Sequence, residues 1–223
     1  MKVINVAIDG PAGAGKSTIS RKAAAELGYI YIDTGALYRT VGLNALRKGV
    51  DIQSDDAVVS TLTDELKVEL RFIDGEQRMF LNDEDVSSDI RTPEASMAAS
   101  RVSAVPAVRK YLFDLQKNLA KTNNCIMDGR DIGTVVLPDA DVKIFLTASP
   151  EARAERRYKE LQEKGMDTPY EDVLKDMIKR DYDDSHRAIA PLKQAEDAIL
   201  CDTSNIGLEE SIQLIIDTIK GNI

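Results

Sequence analysis

The chain of 223 residues contains a single histidine, His186, and only two cysteines, Cys125 and Cys201. One histidine excludes a metal site built from a histidine cluster and argues against a nucleophilic triad. Both cysteines lie in short apolar runs that resemble strands, which is typical of buried free thiols in a reducing compartment. We therefore expect neither a histidine-based metal site nor a disulfide.

Long apolar runs and an excess of positive charge are also missing. No stretch of 18 apolar residues occurs, and the N-terminal apolar run reaches Asp9 too early for a signal peptide. Lysine and arginine number 29 against 38 acidic residues, a formal net charge of −9, which argues against nucleic acid or anionic membrane as a partner. We expect a cytoplasmic protein, and a monomer because no self-complementary helix face stands out.

The N-terminal stretch combines a strand-like run with a complete phosphate-loop motif. Val3 to Ile8 is short, apolar and β-branched, as a buried parallel strand is, and Gly10–Ser17 fills each fixed position of G-x-x-x-x-G-K-[ST]. Glycines let the backbone approach an anion closely. Lys16 then suits the outer phosphates of a nucleotide and Ser17 suits Mg²⁺. The motif therefore predicts a triphosphate site.

Strand and helix patterns alternate along most of the chain. This order favours an α/β fold with a P-loop NTPase-like parallel sheet and helices on both faces. Strands are predicted near residues 3–8, 29–32, 125–128, 142–146 and 199–201, and helices near 16–27, 36–47, 106–119, 150–164, 169–184 and 207–220, with one more beginning at Ser54. Residues 62–98 are typical of an inserted antiparallel subdomain with a hairpin turn at Asp74-Gly75. We expect one domain over residues 1–223, with this insert and a helical lid at 150–168.

Polar residues follow the predicted strands at their carboxyl ends, where open α/β sheets bind ligands. Asp128 ends a buried strand, as the acidic partner of Mg²⁺ does in phosphate-loop enzymes. Arg130 and Asp131 follow in a loop with glycine on either side, where they can bind a substrate or form a surface salt bridge. After the second strand, Thr34 can contact a substrate or cap a helix, and Arg39 can bind an anion or be a solvated charge.

A charged segment near residue 155 carries Arg153, Arg156 and Arg157. Arg153 and Arg157 are four residues apart and share one helix face. The segment has few candidate core residues, so it is typical either of a solvated helix or of a movable lid over phosphates.

A second charged segment carries Arg180, Asp184 and Arg187, spaced four and three residues apart. This spacing places them on one helix face, where they form either a ligand site or ordinary ion pairs. In these clusters arginine predominates over lysine, which suits bidentate recognition of phosphates and base edges.

Four segments in this order, IDGPAGAGKST, DTGALYR, DGRDIGTVV and RDYDDSHRA, resemble the bacterial cytidylate kinase family over roughly residues 3–205. The resemblance implies a nucleoside monophosphate kinase that transfers the γ-phosphoryl group of ATP to CMP or dCMP, with Mg²⁺, giving ADP and CDP or dCDP. It also implies that ATP and CMP or dCMP are the partners, and that residues 62–98 form a subdomain that binds the nucleoside monophosphate.

The resemblance further implies roles for individual residues. The ATP phosphates are held by Gly10, Pro11, Ala12, Gly13, Ala14, Gly15, Lys16, Ser17 and Thr18. The lid arginines that meet the transferred group are Arg153, Arg156 and Arg157, with Arg156 favoured. CMP is bound by Thr34, Arg39, Arg109, Arg130, Asp131, Arg180, Asp184 and Arg187, of which Arg39 and Arg130 take the phosphate and Asp184 the sugar hydroxyls. The catalytic set is Lys16, Arg130, Arg156 and Arg180, and the metal ligands are Ser17 and Asp128.

The hydrogen-bonding groups of cytosine suit recognition by a carboxylate. A carboxylate such as that of Asp131 accepts from the exocyclic amine, whereas uracil presents a carbonyl there and loses the bond. Alternative interpretations are a kinase for UMP, AMP or a non-nucleotide acceptor, an NTP-driven switch or motor, and an ATP binder without activity. The chain lacks an N-K-x-D motif and a glutamate directly after Asp128, which argues against a switch or motor.

Overall fold

The computed structural model of the chain describes residues 2–74, 76–163 and 165–223. These residues form two compact units, of which the first contains Met1–Tyr31 and Thr122–Ile223 and the second contains Ile32–Lys121. Gly75 of the predicted hairpin turn and Lys164, the predicted end of the lid helix, lie outside the described residues. In the part of the chain that is described, no helix is both long enough and apolar enough to cross a membrane.

Strands and helices alternate as the sequence predicts. The strands are β1 (Asn5–Asp9), β2 (Ile30–Asp33), β3 (Val68–Ile73), β4 (Glu76–Leu81), β5 (Glu84–Asp85), β6 (Cys125–Gly129), β7 (Val142–Thr147) and β8 (Ile199–Asp202). The helices are α1 (Lys16–Leu27), α2 (Thr34–Arg47), α3 (Asp55–Val59), α4 (Pro93–Val102), α5 (Pro106–Thr122), α6 (Pro150–Glu163), α7 (Tyr170–His186) and α8 (Leu208–Lys220). A 3₁₀ turn spans Asp89–Arg91, and a π-helical turn spans Ile132–Val136.

Five strands form a parallel sheet in the order β2-β6-β1-β7-β8. The central strand β1 pairs with β6 and β7, and its last residue, Asp9, lies opposite Gly129 on one side and Phe145 on the other. Its apolar residues are fully buried, as expected for the middle of a parallel sheet. The predicted α/β fold with a parallel sheet and flanking helices is confirmed, and the carboxyl ends of β1 and β6 meet at one edge.

Helices α1 and α8 supply the main apolar core of the first unit. The cluster joins β1, β6, β7 and β8 to the two helices through Val6, Ile8, Ile19, Ala23, Ala24, Ile126, Val142, Ile144, Leu146, Cys201, Ile212, Ile215, Ile216 and Ile219. Burial of each large aliphatic side chain stabilises the fold by about 1.5–3 kcal/mol. The strand end and helix start that flank the phosphate loop are therefore anchored in a packed core.

The second unit contains the separate antiparallel sheet that the sequence predicts. Its strands run in the order β3-β4-β5 and cover Val68–Asp85, with Arg71 opposite Arg78. Helix α4 is not among the helices predicted above, although the sequence carries signals for it. Thr92 Oγ accepts from the backbone N–H of Ala95, and a proline opens the first turn.

Helices α2 and α4 of the second unit approach each other closely at Gly42. A Cβ atom at Gly42 would lie 2.9 Å from Ala98 Cβ and 3.1 Å from the Ala98 carbonyl carbon. Real Cβ atoms do not approach other atoms this closely, so the absence of a side chain sets the distance between the two helices.

Gly42→Ala is expected to lower the free energy of unfolding by about 1–3 kcal/mol through overpacking, although alanine favours a helix by about 1 kcal/mol over glycine. Urea unfolding of the variant and the parent chain measures the change. Ala98→Gly added to the variant removes the opposing methyl group and should recover part of the loss. A variant at least as stable as the parent would contradict the close packing.

Candidate active site

The loop between β1 and α1 has the backbone conformation that the phosphate-loop motif predicts. Gly10, Gly13 and Gly15 have φ values of +153°, +74° and +83°, a range that residues with a Cβ atom rarely adopt. At Gly10 a Cβ atom would lie only 1.9 Å from the carbonyl oxygen of Leu146. The loop can therefore wrap an anion only because these positions carry no side chain.

Lys16 is the first residue of α1, and its side chain turns back into the loop. Its Nζ donates to the carbonyl oxygens of Gly10 and Pro11, both at 2.7 Å. Burial lowers the pKa of the Lys16 ammonium well below its ordinary value, and the positive charge of Arg130 lowers it further. Because a bound phosphate would bring negative charge to this ammonium, it would favour the charged form.

Ser17 and Asp128 meet at the edge of the sheet, as the sequence predicts for two ligands of one metal ion. Ser17 Oγ lies 3.0 Å from Asp128 Oδ2, and Tyr31 OH lies 3.1 Å from Asp128 Oδ1. A hydroxyl and a carboxylate are hard oxygen donors that suit Mg²⁺, which usually keeps few protein ligands and completes its shell with phosphate and water. In residues 2–74, 76–163 and 165–223 no group of three or more acidic, histidine or cysteine side chains could hold a metal.

Two partly buried ion pairs join the loop after β6 to the end of α7 and to the residue that follows it. Arg130 Nε donates to Asp184 Oδ2 at 2.8 Å, and an Arg187 guanidinium nitrogen lies 3.3 Å from Asp131 Oδ1. Burial raises the pKa of Asp184, but the charges of Arg130 and two further arginines outweigh it, so the net pKa lies below its ordinary value. Helix α7 ends at His186, so Arg187 lies one residue beyond the helix and not on its face.

The three predicted lid arginines have different environments. Arg153 is 2% exposed, and donates to the carbonyl oxygens of Ala148 and Ala12 and to the carboxylate of Asp181. Its guanidinium therefore joins the start of α6 to the phosphate loop and to α7. The guanidinium of Arg156 donates to the carbonyl oxygen of Thr203.

Arg157 is the outermost of the three. It lies on the exposed side of α6 and pairs with Glu160 at 3.0 Å. An exposed pair of this kind contributes at most about 1 kcal/mol, so it constrains the position of Arg157 little.

Three predicted site residues, Thr34, Arg39 and Arg109, lie in the second unit. Asp33 caps α2 by accepting from the N–H of Ala36, so Thr34 is the first helical residue and not the cap that the sequence analysis allows. Arg39 pairs with Asp33 at 2.8 Å, and its Nε is buried with no hydrogen-bond partner among the described residues. The Arg109 guanidinium lies 5.8 Å from the centre of the Tyr38 ring.

Comparison with known proteins decides the family. The model of the family described as cytidylate kinase matches residues 6–221. A cytidylate kinase of Caldicellulosiruptor bescii is 50% identical over 97% of this chain and 96% of its own, and one of Lactobacillus johnsonii is 49% identical over 98% and 94%. The chain belongs to the cytidylate kinase family. It is therefore a phosphotransferase.

The comparison with solved structures concerns the fold alone. A crystal structure of an uncharacterized protein from Eubacterium ventriosum has a TM-score of 0.52 at 12% identity, over 97% of this chain and 98% of that chain. The architecture of this family member thus recurs in a protein of very different sequence.

The sequence analysis misses one buried acid of this cytidylate kinase family member. Asp9 ends β1, and its two carboxylate oxygens accept from the backbone N–H groups of Ile132 and Gly133 at 2.8 and 2.7 Å. Burial raises the pKa of Asp9 to about 6, although the two N–H groups oppose this change. An acidic residue at the end of an apolar strand is the signal that could have drawn attention to it.

Asp33 and Asp181, which pair with Arg39 and Arg153, are also site residues that were not predicted. The sequence shows that both are acidic. Their pairing with Arg39 and Arg153 is not visible there, because ordinary solvated carboxylates look the same in a sequence.

The pKa of Asp9 predicts how its contribution to stability changes with pH. Between its ordinary value of 3.8 and about 6, the unfolded chain has lost this proton and the folded chain keeps it. Raising the pH through this range therefore disfavours the folded state by about 3 kcal/mol, at about 1.4 kcal/mol for each pKa unit. We expect the stability of the parent chain relative to Asp9→Asn to fall by about 3 kcal/mol between about pH 3 and 7, of which about 2 kcal/mol is lost between about pH 4 and 6, measured by urea unfolding. A difference that is constant or rises with pH would contradict the prediction.

Proposed function

We propose that this chain transfers the γ-phosphoryl group of ATP to the phosphate of CMP or dCMP, giving ADP and CDP or dCDP. The observation that carries the proposal is the pair of partly buried Arg–Asp contacts, Arg130–Asp184 and Arg187–Asp131, in the same unit as a complete phosphate loop. Membership of the cytidylate kinase family supports the same acceptor.

The donor nucleotide binds at the phosphate loop in this proposal. The backbone N–H groups of Gly10 and residues 12–15 and the N-terminus of α1 face the phosphates, because anions are stabilised at this end of a helix. Lys16 Nζ donates to two carbonyl oxygens in the structure. When the nucleotide binds, it donates to the outer phosphates instead. Thr18 follows in the first turn of α1 and completes the set that contacts ATP.

We propose that the reaction uses Mg²⁺, which Ser17 and Asp128 would hold. When bound with ATP, Mg²⁺ neutralises charge on the β- and γ-phosphates. Tyr31 donates to one oxygen of Asp128, so the other oxygen, near Ser17, would be the one available to hold the ion.

The acceptor needs no general base. The second pKa of a phosphate monoester is about 6, so at neutral pH its oxygen is already mostly ionised. The obstacle is repulsion between two anionic phosphates, and arginines offset it. We assign Arg130 and Arg39 to the acceptor phosphate and Arg180 to the phosphate region. The buried Nε of Arg39, which lacks a hydrogen-bond partner among the described residues, supports this assignment.

Recognition of cytosine falls to Asp131 and Arg187, with Thr34 and Arg109 as further contacts. The Asp131 carboxylate accepts from the exocyclic amine, and the guanidinium of Arg187 donates to an acceptor on the ring. Asp184 takes the sugar hydroxyls. Before CMP binds, the two acids and Arg130 and Arg187 satisfy each other, so the site keeps its charges paired.

Water must be excluded, because it would otherwise accept the phosphoryl group. We propose that residues 150–168 act as a lid that brings Arg156 and Arg157 to the transferred group, and that residues 62–98 bind the nucleoside monophosphate. Helices α6 and α7 pack through a small cluster of Ala154, Leu161 and Val173, which supports movement of this segment.

The protein acts as a monomer in the cytoplasm in this proposal, with small molecules as its partners. Two buried cysteines without a disulfide are usual in a reducing compartment, where ATP and CMP are found.

The first test is ADP release from ATP and Mg²⁺, coupled to a dehydrogenase, with CMP, dCMP, UMP, AMP or no acceptor. We expect fast turnover only with CMP and dCMP. Turnover with UMP or AMP instead would overturn the assignment of the base-reading residues. ADP release without an acceptor would indicate a hydrolase that drives a switch or motor.

A second test concerns Asp131. We expect Asp131→Asn to raise the KM for CMP about tenfold and to narrow the preference for CMP over UMP, because a charged hydrogen-bond acceptor is lost. The matched control is Asp139→Asn, an exposed acid eight positions along the same connection. An unchanged ratio of CMP to UMP turnover would remove Asp131 from base recognition.

A further inference from the structure

We propose that Asp9 is a positioning residue for base recognition: it caps the turn that follows Asp131 and leaves the Asp131 carboxylate to the substrate. This inference rests on the proposed function, because it assumes that Asp131 reads the base.

The turn in question is the single π-helical turn Ile132–Val136, and Asp131 occupies the position directly before it. The first N–H groups of any helical turn lack partners within it, and the side chain of the preceding residue often accepts from the second or third of them. Aspartate is among the preferred residues for this task. Here the side chain of Asp131 makes no such hydrogen bond.

Asp9 provides the missing acceptors from the end of β1. One carboxylate oxygen accepts from Ile132 N–H and the other from Gly133 N–H, so both oxygens are used and both N–H groups are satisfied. The fit is close at Gly133, where a Cβ atom would lie 3.4 Å from Asp9 Oδ2 and 3.2 Å from Lys143 Cδ. A residue 123 positions away in the sequence thus replaces the local cap.

Because Asp9 accepts from the N–H groups of the turn, the Asp131 carboxylate does not have to. A carboxylate that caps its own turn is directed at the backbone, whereas that of Asp131 lies 3.3 Å from Arg187. The cap from β1 also joins the base-reading loop to the phosphate loop, because Asp9 directly precedes Gly10.

Burying the Asp9 carboxylate costs folding free energy, which an apolar side chain at this position would not. This cost supports a role for Asp9 beyond packing. Asp9 is 4% exposed, and burial together with the negative charge of Asp131 disfavours its ionised form. Of the two N–H groups, that of Gly133 is the second of the turn, from which the side chain of Asp131 could accept without the burial of another acid, if that side chain had no other task.

The test is a double-mutant cycle in KM for CMP with Asp9→Asn, Asp131→Asn and the double variant. Asp9→Asn keeps the shape but presents an NH₂ group to one of the two N–H donors. We expect Asp9→Asn to raise the KM for CMP about tenfold and to narrow the preference for CMP over UMP. The KM for ATP should change less than about twofold. In the Asp131→Asn background, the same substitution should raise the KM for CMP less than about twofold.

Asp141→Asn is the matched control. Asp141 Oδ2 accepts from the N–H of Asn5 at 2.8 Å, so this variant also removes a carboxylate–backbone hydrogen bond to β1, but at the strand's other end. The KM for CMP and the ratio of CMP to UMP turnover should stay within about twofold of the parent values.

Equal tenfold effects of Asp9→Asn in both backgrounds would overturn the inference, and so would an equal rise in KM for ATP. If Asp9→Asn does not fold, Gly133→Ala perturbs the same contact more gently and enters the same cycle with the same criteria. Amide hydrogen exchange at Ile132 and Gly133 should speed up in the Asp9→Asn or Gly133→Ala variant and not in Asp141→Asn. A parent chain inactive with CMP refutes the proposed function, whereas an active parent with additive effects refutes this inference alone.

Discussion

Pairing between arginine and aspartate is the interaction on which the candidate site depends. A site for two phosphate-bearing substrates needs several cations close together, and these repel one another until the substrates arrive. Four of the predicted site arginines are each paired with an acid: Arg39 with Asp33, Arg130 with Asp184, Arg153 with Asp181 and Arg187 with Asp131. Removing one partner of such a partly buried pair leaves a charge without its counter-charge, which destabilises the site. A chain with a net charge of −9 can therefore present a cationic site, because its acids are the scaffold of that site.

The first unit contains two kinds of packing: an extensive apolar core beside the phosphate loop, and a small apolar cluster between α6 and α7. The phosphate loop lies between a strand and a helix whose aliphatic side chains are fully buried, so its backbone is held firmly. Helices α6 and α7 share a much smaller apolar cluster, and polar contacts such as that of Arg153 with Asp181 supplement it. Segments with few buried apolar contacts open at low cost in free energy. This contrast fits an enzyme that must hold one phosphate group still and admit another.

Much of the fold could be predicted because its signals are local. The apolar run before Gly10, the phosphate-loop motif and the alternation of strands and helices predict the parallel sheet, and strand order places Asp128 beside Ser17. The helix α4 was missed because the antiparallel pattern before it was extended too far, although Thr92 and the following proline mark its start. Capping of α2 by Thr34 is one of the two interpretations that the sequence allows, and the cap is instead Asp33, since both are good capping residues and only the backbone geometry distinguishes them.

The sequence by itself determined the family, the phosphate-binding loop and the identity of the charged residues that collect after the strands. Only the tertiary structure decided which charges meet: that Asp9 caps a turn at Ile132, and that Arg153 is buried against Ala12 instead of facing solvent. Partners separated by 123 or 141 positions share no local pattern. Their contact arises because β1 lies between β6 and β7 in a parallel sheet, which brings distant strand ends, and the loops that follow them, to one edge.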